Sequence, residues 1–134
     1  MLEAFANQPV VVMANGPLLF TGVKNQIGRT TRVYNGSIAL IHPGVYKIIT
    51  NVSYLATGAG LVTVTASVDG TPSNVAIGTA TAAAGDTVNI TIPMLVTVED
   101  GACDCGNYVT VSYNVNAEGT LMNMNSVVTK EQTS

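Results

Sequence analysis

Residues 44–70, GVYKIITNVSYLATGAGLVTVTASVDG, constrain the fold more tightly than any other part of the chain. Two alternating segments flank a glycine-rich turn. In the second, Val62, Val64, Ala66 and Val68 share one face, while Thr63, Thr65, Ser67 and Asp69 take the other. A side-chain period of two belongs to strands, because successive Cβ atoms point to opposite faces of a sheet. The pattern predicts a sheet with one buried face and one wet face. No cluster of acids, bases or nucleophiles lies on it, which points to a protein working by shape and assembly.

The same period recurs along the chain. In residues 87–98 it turns Val88, Ile90, Ile92, Met94, Val96 and Val98 inward, with Thr87, Asn89, Thr91 and Thr97 opposite. In residues 108–115 the inward set is Val109, Val111, Tyr113 and Val115. Strands are read at 9–13, 18–21, 31–35, 37–42, 45–57, 60–69, 74–82, 87–98, 108–115 and 120–129. Glycine, asparagine, aspartate and proline separate them, and Asp69-Gly70-Thr71-Pro72 has the chemistry of a hairpin turn. Pro93 lacks a backbone N–H, so its strand needs an edge or a bulge there. The run TATAAAGD is too short for a stable helix. Such a series of about ten short strands predicts an all-β, antiparallel sandwich or barrel in a single domain over residues 1–134. Residues 1–25 form an N-terminal strand or attachment arm, and residues 131–134 a frayed tail.

Segment 45–57 breaks the simple alternation. Tyr46, Ile48, Val52 and Tyr54 share one face, yet Ile49 and Leu55 lie on the other. A strand apolar on both faces needs a cover on both, and in a two-layer sandwich the second cover is a loop or another subunit. This strand is therefore the first candidate for a subunit interface.

Composition points the same way. Hydrophobic residues make up 47% of the chain and charged residues only 10%, against about 25% charged in ordinary soluble domains. A chain so poor in charge is expected to cover apolar surface by self-association. With five Lys and Arg and a net charge of −3, it cannot neutralise a run of phosphates or form a polybasic membrane patch. No apolar run approaches the roughly 18 residues that span a bilayer. The N-terminus carries Glu3 where a secretory signal has basic residues, so the expectation is a chain without a signal peptide, made in the cytosol.

Residues that could carry chemistry are few. Cys103 and Cys105 flank Asp104, and a Cys-x-Cys pair can give two thiolates to a soft metal. Structural zinc usually takes four ligands, and His42 is the sole further soft ligand. The ordinary reading is a reduced pair in a loop, with an interchain disulfide or a metal left open; no cofactor is expected. Glu99, Asp100 and Asp104 could chelate calcium but lack the spacing of an EF-hand. Tyr34, Tyr54 and Tyr108 would form a sugar platform if exposed and adjacent. Met122 and Met124 read as fillers of core or interface gaps. A cupin-type enzyme needs a histidine-rich metal motif that one histidine cannot supply.

The block Asn35-Gly36, Ile38 to Ile41 and Pro43-Gly44-Val45-Tyr46 resembles the C1q/TNF-like jelly-roll family in its bacterial and bacteriophage form. Residues 62–70, 85–98, 109–113 and 119–128 resemble the strands that follow. The likeness implies a jelly roll that assembles as a homotrimer, with Tyr46 and Tyr113 in the core or near the three-fold axis. On this reading Tyr46, Ile48, Ile49, Val52, Tyr113, Met122 and Met124 are the candidate interface residues. The chain shows neither the collagen-like stalk nor the signal peptide common in that family. The implied role is a non-enzymatic virion component, decorating the head or a fibre of a phage or phage-like particle through a capsid or fibre protein. A trimeric adhesin or receptor-binding tip recognising a glycan or a surface protein is the competing reading.

Overall fold

The computed structural model describes residues 2–7, 9–26, 31–34, 36–41, 43–98 and 109–132. These hold twelve strands: β1 (Leu2–Ala6), β2 (Val10–Val12), β3 (Pro17–Leu18), β4 (Gly22–Gln26), β5 (Thr31–Tyr34), β6 (Ser37–Leu40), β7 (Gly44–Ala56), β8 (Gly60–Val68), β9 (Thr71–Ala82), β10 (Thr87–Val98), β11 (Val109–Val115) and β12 (Gly119–Gln132). One sheet runs β10-β7-β12-β1-β4, with β2 also on β12; the other runs β5-β6-β11-β8-β9, with β3 also on β11. Every pairing is antiparallel. Among the paired strands, only β5–β6 and β8–β9 are neighbours in sequence. Apart from β1 and β2, which both pair with β12 in the first sheet, the other consecutive strands lie in different sheets, and the result is an antiparallel jelly-roll sandwich.

The apolar faces meet in one core. Leu2, Ile38, Leu40, Ile48, Val64 and Leu121 are among the side chains with essentially no exposure, and each such side chain contributes about 1.5–3 kcal/mol. The expected inward set of β10 is inward: Ile90, Ile92, Val96 and Val98 are buried, and Val88 and Met94 pack against them. Val62, Val64 and Ala66 of β8 are buried as expected, and Ser67 on the opposite face is also covered. A register irregularity against β9 falls between Thr65 and Ser67. Pro93 sits on an edge strand with no bulge against β7, where a residue lacking an N–H leaves no ladder bond unmade.

Two glycines are demanded by geometry. Asp69 and Gly70 both have positive φ, 51° and 84°, the backbone of a type I′ hairpin turn. At Gly78 of β9 a Cβ would run into Ile90 and Ile92 of β10, so the two sheets close along this side only because the side chain is a hydrogen.

Candidate functional site

In a molecule whose inner faces are consumed by the core, a surface for recognition must come from the outer faces. The outward residues of β7 stand between the edge strand β10 and the central strand β12 of the first sheet, and the strand register arranges their neighbours in rows. Ile49 lies opposite Pro93 of β10 and Val127 of β12. Lys47 is opposite Leu95 and Thr129. Leu95 is 68% exposed and Val127 38% exposed, while Val45, Ile49 and Leu55 are half-buried. A cavity of about 620 Å³ opens between Val45, Lys47, Pro93, Met94 and Leu95. The sector is apolar, with one cation at its centre.

The next row is polar. Thr91, Asn51, Asn125 and Phe5 stand side by side on β10, β7, β12 and β1. Thr91 Oγ1 donates to Asn51 Oδ1 at 2.8 Å, and Asn51 Nδ2 donates to Asn125 Oδ1 at 3.1 Å. One step along, Ser53 Oγ donates to Asn89 Oδ1 at 2.7 Å. Beyond β12, a groove of about 550 Å³ is bordered by Glu3, Phe5, Asn7, Lys24, Asn123 and Asn125. Another apolar groove, of about 370 Å³, lies among Val10, Val11, Met13, Leu19 and Leu121 at the end of the sandwich near β2.

The structure separates the seven candidate interface residues. Tyr46, Ile48, Val52, Tyr113 and Met124 have at most 1% exposure within the single chain. Their own core covers them completely, so they cannot touch a second copy. Of this set, Ile49 and Met122 face outward. Met122 and Met124, two apart in sequence, would share a face in a regular strand. A bulge between Leu121 and Asn123 disturbs the count, leaving Met124 buried and Met122 36% exposed.

The buried tyrosines have structural tasks. Tyr113 reaches from the second sheet to the first, where its hydroxyl is 2.6 Å from Thr50 Oγ1, itself 2.9 Å from Ser126 Oγ. Burial pushes the Tyr113 phenol up to about 12, although its hydroxyl partners pull the other way. Tyr54 donates to the Ala117 carbonyl at 2.7 Å. Burial, with the Glu118 carboxylate as a second cause, lifts its pKa to about 12 as well. Tyr54 is fully buried, which removes it from any sugar platform. Lys130 caps the core from the end of β12, its Nζ 5.9 Å from the centre of the Tyr46 ring.

His42, Glu99, Asp100, Cys103, Asp104, Cys105 and Tyr108 lie outside the described residues, as does the side chain of Tyr34. Among the described residues no three His, Cys, Asp or Glu side chains gather closely enough to hold a metal ion.

No family model and no curated protein matches the sequence. Solved structures do match. Eiger TNF from S. frugiperda superimposes with a TM-score of 0.77 at 9% identity, over 99% of this chain and 94% of that one. The PRD1 vertex protein gives 0.65 at 16% identity, over 96% and 94%. The globular domain of zebrafish complement 1qA gives 0.61 at 11% identity, over 94% of each chain.

The fold is a C1q/TNF-like jelly roll.

That likeness is one of architecture, spread over nearly the whole length of each partner. The groove beside Phe5 is hard to see in the sequence because a strand or arm somewhere in residues 1–25 does not place β1 at Leu2–Ala6. Its signal is present in the alternation of Leu2, Ala4 and Ala6 with Glu3, Phe5 and Asn7.

Proposed function

We propose that this jelly roll is a non-enzymatic structural protein, a homotrimer that decorates a phage or phage-like particle as a virion component. The observation that carries the reading is the apolar sector on the outer face of the first sheet, where Val45, Ile49, Pro93, Leu95 and Val127 lie together. A chain with only 10% charged residues gains by covering such a sector with copies of itself. A closed three-fold ring does this with one repeated heterologous contact, leaving both ends of the trimer for other partners. The shared architecture with the PRD1 vertex protein supports a place on a particle surface.

Light scattering at micromolar concentration tests the assembly: the expected mass is three times the 13.8 kDa chain, and a monomer overturns it. Co-sedimentation with empty capsids of the producing particle tests the docking. Trimers that stay in the supernatant overturn the decoration role. The competing reading, a trimeric receptor-binding tip, is favoured by one observation, the polar groove over Phe5.

A further inference from the structure

The groove on the β1 side of the sheet differs from the apolar sector in chemistry, and two of its side chains are held in place by the residues behind them. Phe5 points outward from β1, and its register partner on β4 is Gly22. A Cβ on Gly22 would sit 2.6 Å from Phe5 Cζ and 3.1 Å from Cε1 and Cε2. The ring therefore packs over the glycine backbone, an aromatic covering a bare position in a sheet. Asn125 is fixed from the other side by the relay from Thr91 through Asn51, which occupies its Oδ1 and leaves its NH₂ to the groove. Asn123 and Asn7 add two further amides, and the opposite charges of Glu3 and Lys24 cancel along the border.

We propose that this groove binds a neutral sugar residue of a glycan. A sugar ring has an apolar C–H face, which suits an immobilised aromatic ring, and a rim of vicinal hydroxyls, which suits side-chain amides able to donate and accept together. The groove of about 550 Å³ falls within the usual 300–1,000 Å³ of small-molecule sites. Its lining has no surplus of cations, which disfavours phosphates, nucleotides and acidic sugars. Prior orientation of Phe5 by Gly22 and of Asn125 by Asn51 lowers the ordering cost of binding. The site lies within one chain and does not depend on docking to a particle, but it rests on the trimer leaving the β1 side of this sheet face uncovered.

The test is an array of neutral and acidic oligosaccharides probed with the intact protein, followed by titration of the strongest neutral hit. Neutral glycans are expected to bind. Asn125→Leu, an exposed change that leaves the core untouched, should weaken the hit about tenfold, as should Phe5→Ala. Phe5→Tyr keeps the ring and should keep binding, which separates loss of stacking from loss of folding. An array without hits, hits confined to acidic glycans, or wild-type affinity in Asn125→Leu overturns the proposal. So does a switch from trimer to monomer in Asn125→Leu, because the groove would then be a subunit contact. A blank array on a protein that still trimerises and sediments with capsids would remove the sugar site and leave the decoration role standing.

Discussion

Tyr113 ties the two layers of the sandwich together with one side chain. Its ring packs edge-on against Phe20, with centroids 6.1 Å apart, and its hydroxyl joins Thr50 and Ser126 in the opposite sheet. Tyr113→Phe removes one buried hydroxyl while Thr50 and Ser126 keep each other, so we predict a loss of about 1 kcal/mol in urea unfolding. Thr50→Val removes the hydroxyl that touches both of the others while leaving Tyr113 and Ser126 to each other, and should cost about 1–2 kcal/mol. The pH dependence follows from the raised phenol. Below pH 10 Tyr113 is protonated in both states and contributes no slope. Between pH 10 and about 12 the unfolded chain has lost the proton and the folded chain has kept it. Stability therefore falls as pH rises through this window, by up to about 1.4 kcal/mol per pH unit from this residue. Phenolate absorbance should show Tyr54 and Tyr113 ionising late and together with unfolding, and Tyr113→Phe should flatten the alkaline slope. A slope unchanged in the variant would contradict this account.

Strands show where sequence reasoning succeeds and where it stops. Residues 87–98 are legible because apolar Val88, Ile90, Ile92, Met94, Val96 and Val98 keep a period of two, with Thr or Asn between them except at Pro93 and Leu95, and the observed β10 has those bounds. The two-faced pattern of residues 45–57 likewise matches β7, whose inward and outward sets fall as read. The bounds of β1 and β4 are not legible within a strand or arm over residues 1–25: LEAFA and GVKNQ are poor in β-branched residues, and pairing with β12 and with each other holds them extended. Tertiary context overrides propensity there, and the groove went unseen with them. The β12 bulge was equally invisible, because nothing in LMNM marks which residue is extra. It yields a prediction. Deleting Met122 restores regular alternation, with Leu121 and Met124 inward and Asn123 outward, and should cost under about 2 kcal/mol. Deleting Asn125 instead turns Ser126 and Val128 out of the core and Val127 into it. That variant should fail to fold, as judged by circular dichroism and thermal melting. Equal tolerance of both deletions would mean that the bulge is not where the register is adjusted.

For the whole molecule, the trimer we propose needs a surface to hold its subunits together, and five of the seven candidate interface residues are sealed inside one chain. The outer sector around Ile49 remains, and its chemistry separates it from the alternatives. Burying a second ammonium group against apolar side chains, beside Lys47 and with no acid to pair it, costs several kcal/mol, and a ring of three contacts incurs that cost three times. Ile49→Lys or Leu95→Lys should therefore give a folded monomer with a wild-type circular dichroism spectrum. Asn89→Asp, placed in the polar row on the same sheet, should leave the trimer intact. Salt supplies a second discriminator. An assembly held by ion pairs loosens as screening rises, whereas this sector has Lys47 at its centre and no acid among Val45, Ile49, Pro93, Leu95 and Val127. Raising sodium chloride from low to molar concentration should leave the trimer mass unchanged in light scattering. Dissociation in high salt, or a trimer that survives Ile49→Lys and Leu95→Lys together, would move the interface to the apolar groove around Val11 and Met13, another exposed hydrophobic surface among the described residues.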